Sequence, residues 1–115
     1  MEIELTLMIR SVGIPIHYKG YQYLNDGIAM VVEDRELLGA VTKELYPAIA
    51  EKNNTSPKGV EKAIRHAIKV AWMGSNTKFI EELFFNPRYG YIKKPTNRQF
   101  IAVLADRLRI EGMAG

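Results

Sequence analysis

Residues 55–72 read TSPKGVEKAIRHAIKVAW, and this stretch decides the fold. Its opening is a helix start signal. The Ser56 hydroxyl is placed to accept from the first free backbone N–H groups, and Pro57 falls at the first helical position, where its missing N–H costs nothing. Val60, Ala63, Ile64, Ala67, Ile68 and Ala71 recur at three- and four-residue spacing, the pattern of one buried helical stripe. Lys58, Glu61, Lys62, Arg65, His66 and Lys69 project from the other side, and five of these six can be cationic. A solvated surface helix presents such a face too, so the flanking sequence has to separate the two readings.

Working outward on the N-terminal side, 53–55 (NNT) reads as a turn. Before it, Leu37, Leu38, Val41, Leu45 and Ile49 form another helical stripe, interrupted by Pro47. The proline either kinks one long helix or starts a new short one near Tyr46. In both cases 48–52 is a short helix joined by a tight polar turn to the helix at about 57–72. Two helices so joined resemble a helix-turn-helix, in which a small residue lets the second helix cross closely and enter the DNA major groove. Farther out, 2–11 and 21–33 have helical periodicity. Residues 17–20 read as a polar turn between them, and Gly27 inside the second implies close packing against a neighbour. Downstream, 77–84 is a short amphipathic helix with Phe79, Ile80, Leu83 and Phe84 apolar. Residues 85–95 read as a loop, Thr96 and Asn97 as the cap of a last helix over 98–111, and 112–115 as a frayed tail. The expected architecture is all-α, about six helices in one domain spanning 1–115, with the helix-turn-helix at its centre.

Composition narrows the chemistry. The chain has 115 residues, 47% hydrophobic and 25% charged, enough for a core of its own. Lys and Arg number 16 against 13 Asp and Glu, a net charge of +3 that permits a nucleic-acid partner without requiring one. Cysteine is absent, which excludes disulfides and thiolate metal sites and fits a reducing cytoplasm. No apolar run approaches the ~20 residues needed to span a bilayer. The two histidines stand apart with no carboxylate at metal spacing, and no phosphate loop or nucleophile elbow is present, so no metal, cofactor or catalytic set is expected.

The charged face of 57–72 has the chemistry of base reading. Arg65 is suited to two parallel hydrogen bonds with guanine O6 and N7, Glu61 one turn earlier to accepting from cytosine N4, and Lys62 to a second guanine or a phosphate. A lone Glu among cations repels phosphates, which favours base reading over indiscriminate backbone binding. Glu61 also stands at the spacing of a simple ion pair with Arg65, worth about 0.2–0.5 kcal/mol, and the two roles are compatible. Ser56, Lys58, Lys69, His17 and Lys19 are candidate phosphate contacts, with helix capping the first role of Ser56 and a solvated turn the competing account of His17 and Lys19. Trp72 reads as the edge of the core, and the tyrosines as packing residues with wet hydroxyls.

Several segments together resemble the C-terminal effector domain of the stage-zero sporulation master response regulators of endospore-forming bacteria: GIPIHYKGYQYL at 13–24, ELLG at 36–39, TKELYP at 42–47, VEKAIRHAI at 60–68, KPTN at 94–97 and FIA at 100–102. The likeness covers nearly the whole chain. It implies a six-helix DNA-binding domain that reads TGTCGAA-type boxes as a tandem dimer and acts at promoters as activator or repressor. It also implies control by phosphorylation of an N-terminal receiver domain, which this chain lacks, and contact of an RNA polymerase sigma factor with the surface near Phe79 and Phe84. Glu61, Lys62 and Arg65 match the family's base-reading positions, and the C-G step of the box agrees with the pairing argued above. Lys62 stands where the family has Arg, exchanging a planar fork for a point donor. Residues 77–79 and 85–91 diverge most. The alternative from another class is a helical protein–protein adaptor without sequence-specific DNA binding, using the 79–91 surface.

Overall fold

The computed structural model describes residues 2–74, 77–85 and 94–114. Among these residues every regular element is helical, with no strand. The elements are α1 (Glu2–Val12), α2 (Lys19–Glu33), a 3-10 turn (Arg35–Gly39), a π turn (Val41–Leu45), α3 (Tyr46–Lys52), α4 (Pro57–Met73), α5 (Thr77–Phe84) and α6 (Asn97–Ala114). No helix among the described residues is long and apolar enough to cross a membrane. Most of the loop expected at 85–95, with Tyr89 and Tyr91, lies outside the described residues, as do Ser75, Asn76 and Gly115.

α2 is the central element and packs against α1, α3, α4 and α6. Its Leu24, Ile28 and Val31 are buried beside Leu5 and Ile9 of α1, Ile49 of α3, Ile64 and Ile68 of α4, and Phe100 and Leu104 of α6. Each of these side chains stabilises the fold by about 1.5–3 kcal/mol through water exclusion. Trp72 is half-buried, as expected of a core edge, and sits edge-on to Phe84 at 5.0 Å, while Phe84 stacks on Phe100 at 5.6 Å. This aromatic group ties the ends of α4 and α5 to α6.

α2 begins at Lys19, two residues before the expected start, so Lys19 and Gly20 belong to the helix and not to the preceding turn. The reason is tertiary. A Cβ on Gly20 would lie 2.4 Å from the Ala63 carbonyl oxygen and 2.7 Å from the Ala67 Cβ, so the glycine is the point where α2 and α4 touch backbone to backbone. Gly13, with φ at 105°, turns the chain out of α1. The close packing expected at Gly27 is present too: its added Cβ would meet the Ile49 Cδ1 at 2.8 Å. That atom is the mobile end of a side chain. Gly27→Ala is therefore expected to be nearly neutral in urea denaturation, the helix-propensity gain of up to ~1 kcal/mol offsetting the repacking of Ile49. A loss beyond about 2 kcal/mol would show that Ile49 has no room to turn.

The question posed by Pro47 has a specific answer. The chain runs helically from Val41 into α3, but the first part is a π turn: the Leu45 N–H reaches the Ala40 carbonyl at 3.1 Å, and the Tyr46 N–H that of Val41. Pro47 has no N–H for the Lys43 carbonyl and its ring crowds that oxygen, so the wider turn ahead of it gives the ring room. A helical start at Tyr46 follows directly.

Candidate nucleic-acid interface

α3 and α4 form a helix-turn-helix whose turn is held by backbone bonds from Asn53, Asn54 and Thr55. α3 ends in a Schellman motif: the Thr55 N–H donates to the Ala50 carbonyl at 3.0 Å and the Asn54 N–H to that of Glu51 at 3.5 Å. Asn54 holds the left-handed conformation this motif needs, with φ at 54°, and asparagine tolerates it better than most residues. α4 then starts as the sequence implies, with the Gly59 N–H donating to the Ser56 hydroxyl at 3.0 Å and Pro57 in the first turn. Ser56 is therefore a helix cap first.

A buried carboxylate anchors the turn from behind. Asp26 of α2 is only 4% exposed and accepts from Asn53 Nδ2 at 2.8 Å and from Gln22 Nε2, with Lys52 Nζ at 3.1 Å. Asn53 also donates to the Ile49 carbonyl at 2.9 Å. One α2 side chain thus holds the last residue of α3 and the first of the turn. Asp26→Ala is expected to destabilise by about 1–3 kcal/mol in chemical denaturation, because the part-buried amides of Asn53 and Gln22 and the Lys52 ammonium lose their common acceptor. An unchanged midpoint would mean that water replaces the carboxylate.

Along α4, 100° per residue places the core stripe of Val60, Ile64, Ala67 and Ile68 opposite Lys62, Lys69 and Lys58, all three exposed. Glu61 and Arg65 occupy one flank of that exposed ridge and form an ion pair, Arg65 59% and Glu61 32% exposed. His66 and Ala63 occupy the other flank. There the Tyr18 ring stacks on the His66 ring, centroids 5.8 Å apart and planes 12° from parallel, with His17 edge-on to Tyr18. This contact, with the α2–α4 approach at Gly20, brings exposed His17 and Lys19 beside α4, although they are distant in sequence. The structure therefore gathers Ser56, Lys58, Glu61, Lys62, Arg65, Lys69, His17 and Lys19 on and around one helix.

The Glu61–Arg65 flank opens onto a cleft lined by Thr42, Tyr46, Lys94, Thr96, Asn97 and Arg98. Sequence reasoning missed these residues as neighbours of α4. Two of them depart from expectation. Thr96 alone caps α6, in a reciprocal box with Gln99: the Gln99 N–H donates to the Thr96 hydroxyl at 3.2 Å, and the Thr96 N–H to Gln99 Oε1 at 2.9 Å. The Thr-x-x-Gln spacing at 96–99 was the available signal. Asn97, expected to share the cap, instead points its amide at α3 and α4. The Tyr46 hydroxyl, expected to be wet, accepts from it at 3.1 Å. Burial pushes the Tyr46 phenol up, so it stays an O–H group at neutral pH. Elsewhere, Arg35 pairs with Asp106, and that hydrogen-bonded guanidinium holds the Asp106 carboxyl below its usual range.

Residues 5–108 match the family model described as the C-terminal domain of the sporulation initiation factor Spo0A. The chain belongs to this family. It is an all-helical DNA-binding domain of the Spo0A type, and its place is in transcription regulation at the start of sporulation, within a response-regulator system. The match runs from within α1 to within α6. The resemblance read from segments such as VEKAIRHAI and KPTN therefore holds for the fold as a whole. Spo0A C-terminal domains are regulatory DNA-binding modules.

Proposed function

We propose that this Spo0A-type domain reads DNA sequence with α4 in the major groove, Glu61, Lys62 and Arg65 on base edges and Ser56, Lys58, Lys69, His17 and Lys19 on phosphates. The observation that carries this reading is the Glu61–Arg65 ion pair on an exposed flank of α4, beside the ridge of Lys58, Lys62 and Lys69. A carboxylate kept in a cationic face weakens indiscriminate phosphate binding and suits a cytosine N4 donor, while the guanidinium it orients suits the adjacent guanine. The proposed target is a TGTCGAA-type box, whose C-G step offers that pair of bases. Lys62 presents a compact ammonium on a flexible stem where a planar fork would fix two parallel bonds, so discrimination at its base is expected to be the weakest of the three.

By family likeness, the domain is proposed to bind as a tandem dimer, to respond to phosphorylation of a receiver domain and to contact RNA polymerase sigma factor through α5. Phe79 and Phe84 are half-buried and packed on the core, and Ile80 is buried. The α5 surface offered to such a partner is therefore the exposed set Lys78, Glu81, Glu82 and, just beyond, Phe85.

The test is a mobility-shift titration on a TGTCGAA-type duplex, on a scrambled duplex and on duplexes changed one base at a time. Wild type and single alanine variants at Glu61, Lys62 and Arg65 are compared. Each variant is expected to relax preference at one base, and affinity is expected to fall steeply with salt. Equal wild-type affinity for box and scrambled duplex would sink the proposal and favour the protein–protein adaptor.

A further inference from the structure

We infer that Asn97, outside the helix-turn-helix, is a positioning residue that sets the pose of the α4 reading face; this rests on the base-reading role proposed for Glu61 and Arg65. Asn97 is the first residue of α6 and is half-buried. Its Nδ2 donates to the Glu61 main-chain carbonyl of α4 at 3.1 Å and to the Tyr46 hydroxyl at the start of α3, also at 3.1 Å. One side-chain amide therefore joins both helices of the helix-turn-helix to α6.

The bond to Glu61 falls where it matters for reading. A mid-helix carbonyl normally receives only the N–H four residues on, here that of Arg65. Its second lone pair is taken by Asn97, an external tether on the very peptide that carries the Glu61 side chain. Any roll or slide of α4 against α6 stretches this bond, and the same motion displaces Glu61 and Arg65 relative to the bases. Lys58 and Lys69 lie toward the two ends of α4 and would meet phosphates through long flexible stems, which tolerate such a shift. Asn97 is held in place by the Thr96–Gln99 box, which fixes the first turn of α6, and by Pro95, which is buried just before it.

The prediction is a loss of selectivity without a matching loss of general DNA affinity. Asn97→Ala is expected to weaken binding to the TGTCGAA-type duplex about 5–10-fold, with scrambled-duplex affinity and salt slope unchanged. Asn97→Asp keeps the shape but replaces the donor with an oxygen facing the Glu61 carbonyl, and is expected to flatten the base profile further at the Glu61 and Arg65 positions. Tyr46→Phe removes the hydroxyl and leaves the Glu61 bond, so its loss should be smaller, about twofold. Circular dichroism melts fix a temperature at which each variant is folded. An undiminished box-to-scrambled ratio in folded Asn97→Ala and Asn97→Asp would overturn the inference alone. So would a parallel fall in both affinities, the mark of a purely structural role. A wild-type domain with no preference would overturn the base-reading proposal and this inference together.

Discussion

Replacing Gly20 by alanine is expected to destabilise the domain by about 1–3 kcal/mol, seen as a drop on the order of 5–10 °C in melting temperature. Helix propensity alone points the other way, favouring alanine by up to ~1 kcal/mol. The contact decides the sign. The new methyl would stand 2.4 Å from the Ala63 carbonyl oxygen, a backbone atom locked in the middle of α4, and 2.7 Å from the Ala67 Cβ. Neither has a rotamer to escape into, so α2 and α4 must separate and the core between them must loosen. Gly27 is the internal control, since its obstacle is the Cδ1 end of Ile49. A thermal melt in which Gly20→Ala equals or exceeds wild type would refute the backbone-to-backbone account of the α2–α4 crossing.

Arg65→Ala is expected to cost about 1–3 kcal/mol of specific binding, roughly 5- to 150-fold in dissociation constant, with discrimination relaxed at one guanine. Its effect on folding should be far smaller. The side chain is 59% exposed, and its pair with Glu61 is an i,i+4 surface contact of the kind that contributes only a few tenths of a kcal/mol. The two readouts thus separate cleanly: specific affinity falls while the denaturation midpoint stays within error. Retained selectivity in a folded Arg65→Ala variant would remove the central support for base reading by α4.

How much of this was legible in the chain depends on how local each cause is. The inward stripe of Val60, Ile64, Ala67 and Ile68 was readable because a helix repeats every 3.6 residues whatever surrounds it. The Ser56 cap was readable because it is made within one turn. The cleavage of the third stripe at Pro47 was visible, but not its form, since the π turn depends on bonds to Ala40 and Val41. Gly20 looked like part of a polar turn because nothing near it in sequence reveals α4 against it. The partners of Asp26 and Asn97 were hidden for the same reason: Asp26 meets Asn53 and Lys52, and Asn97, which reads as part of a helix cap, meets Tyr46 and Glu61, only across the fold.

For residues 55–72, periodicity, capping and charge by themselves determined that a helix forms, which face it buries, and that its other face carries Glu61, Lys62 and Arg65. These follow from forces acting within a few residues. Only the tertiary structure decided what stands on either flank of that face, His17, Tyr18 and Lys19 on one side and Asn97 with the start of α6 on the other. The crossing of α2 over α4 at Gly20 and the docking of α6 set those neighbours. Close approach between helices depends on the shapes of both surfaces at once, which no single stretch of sequence contains.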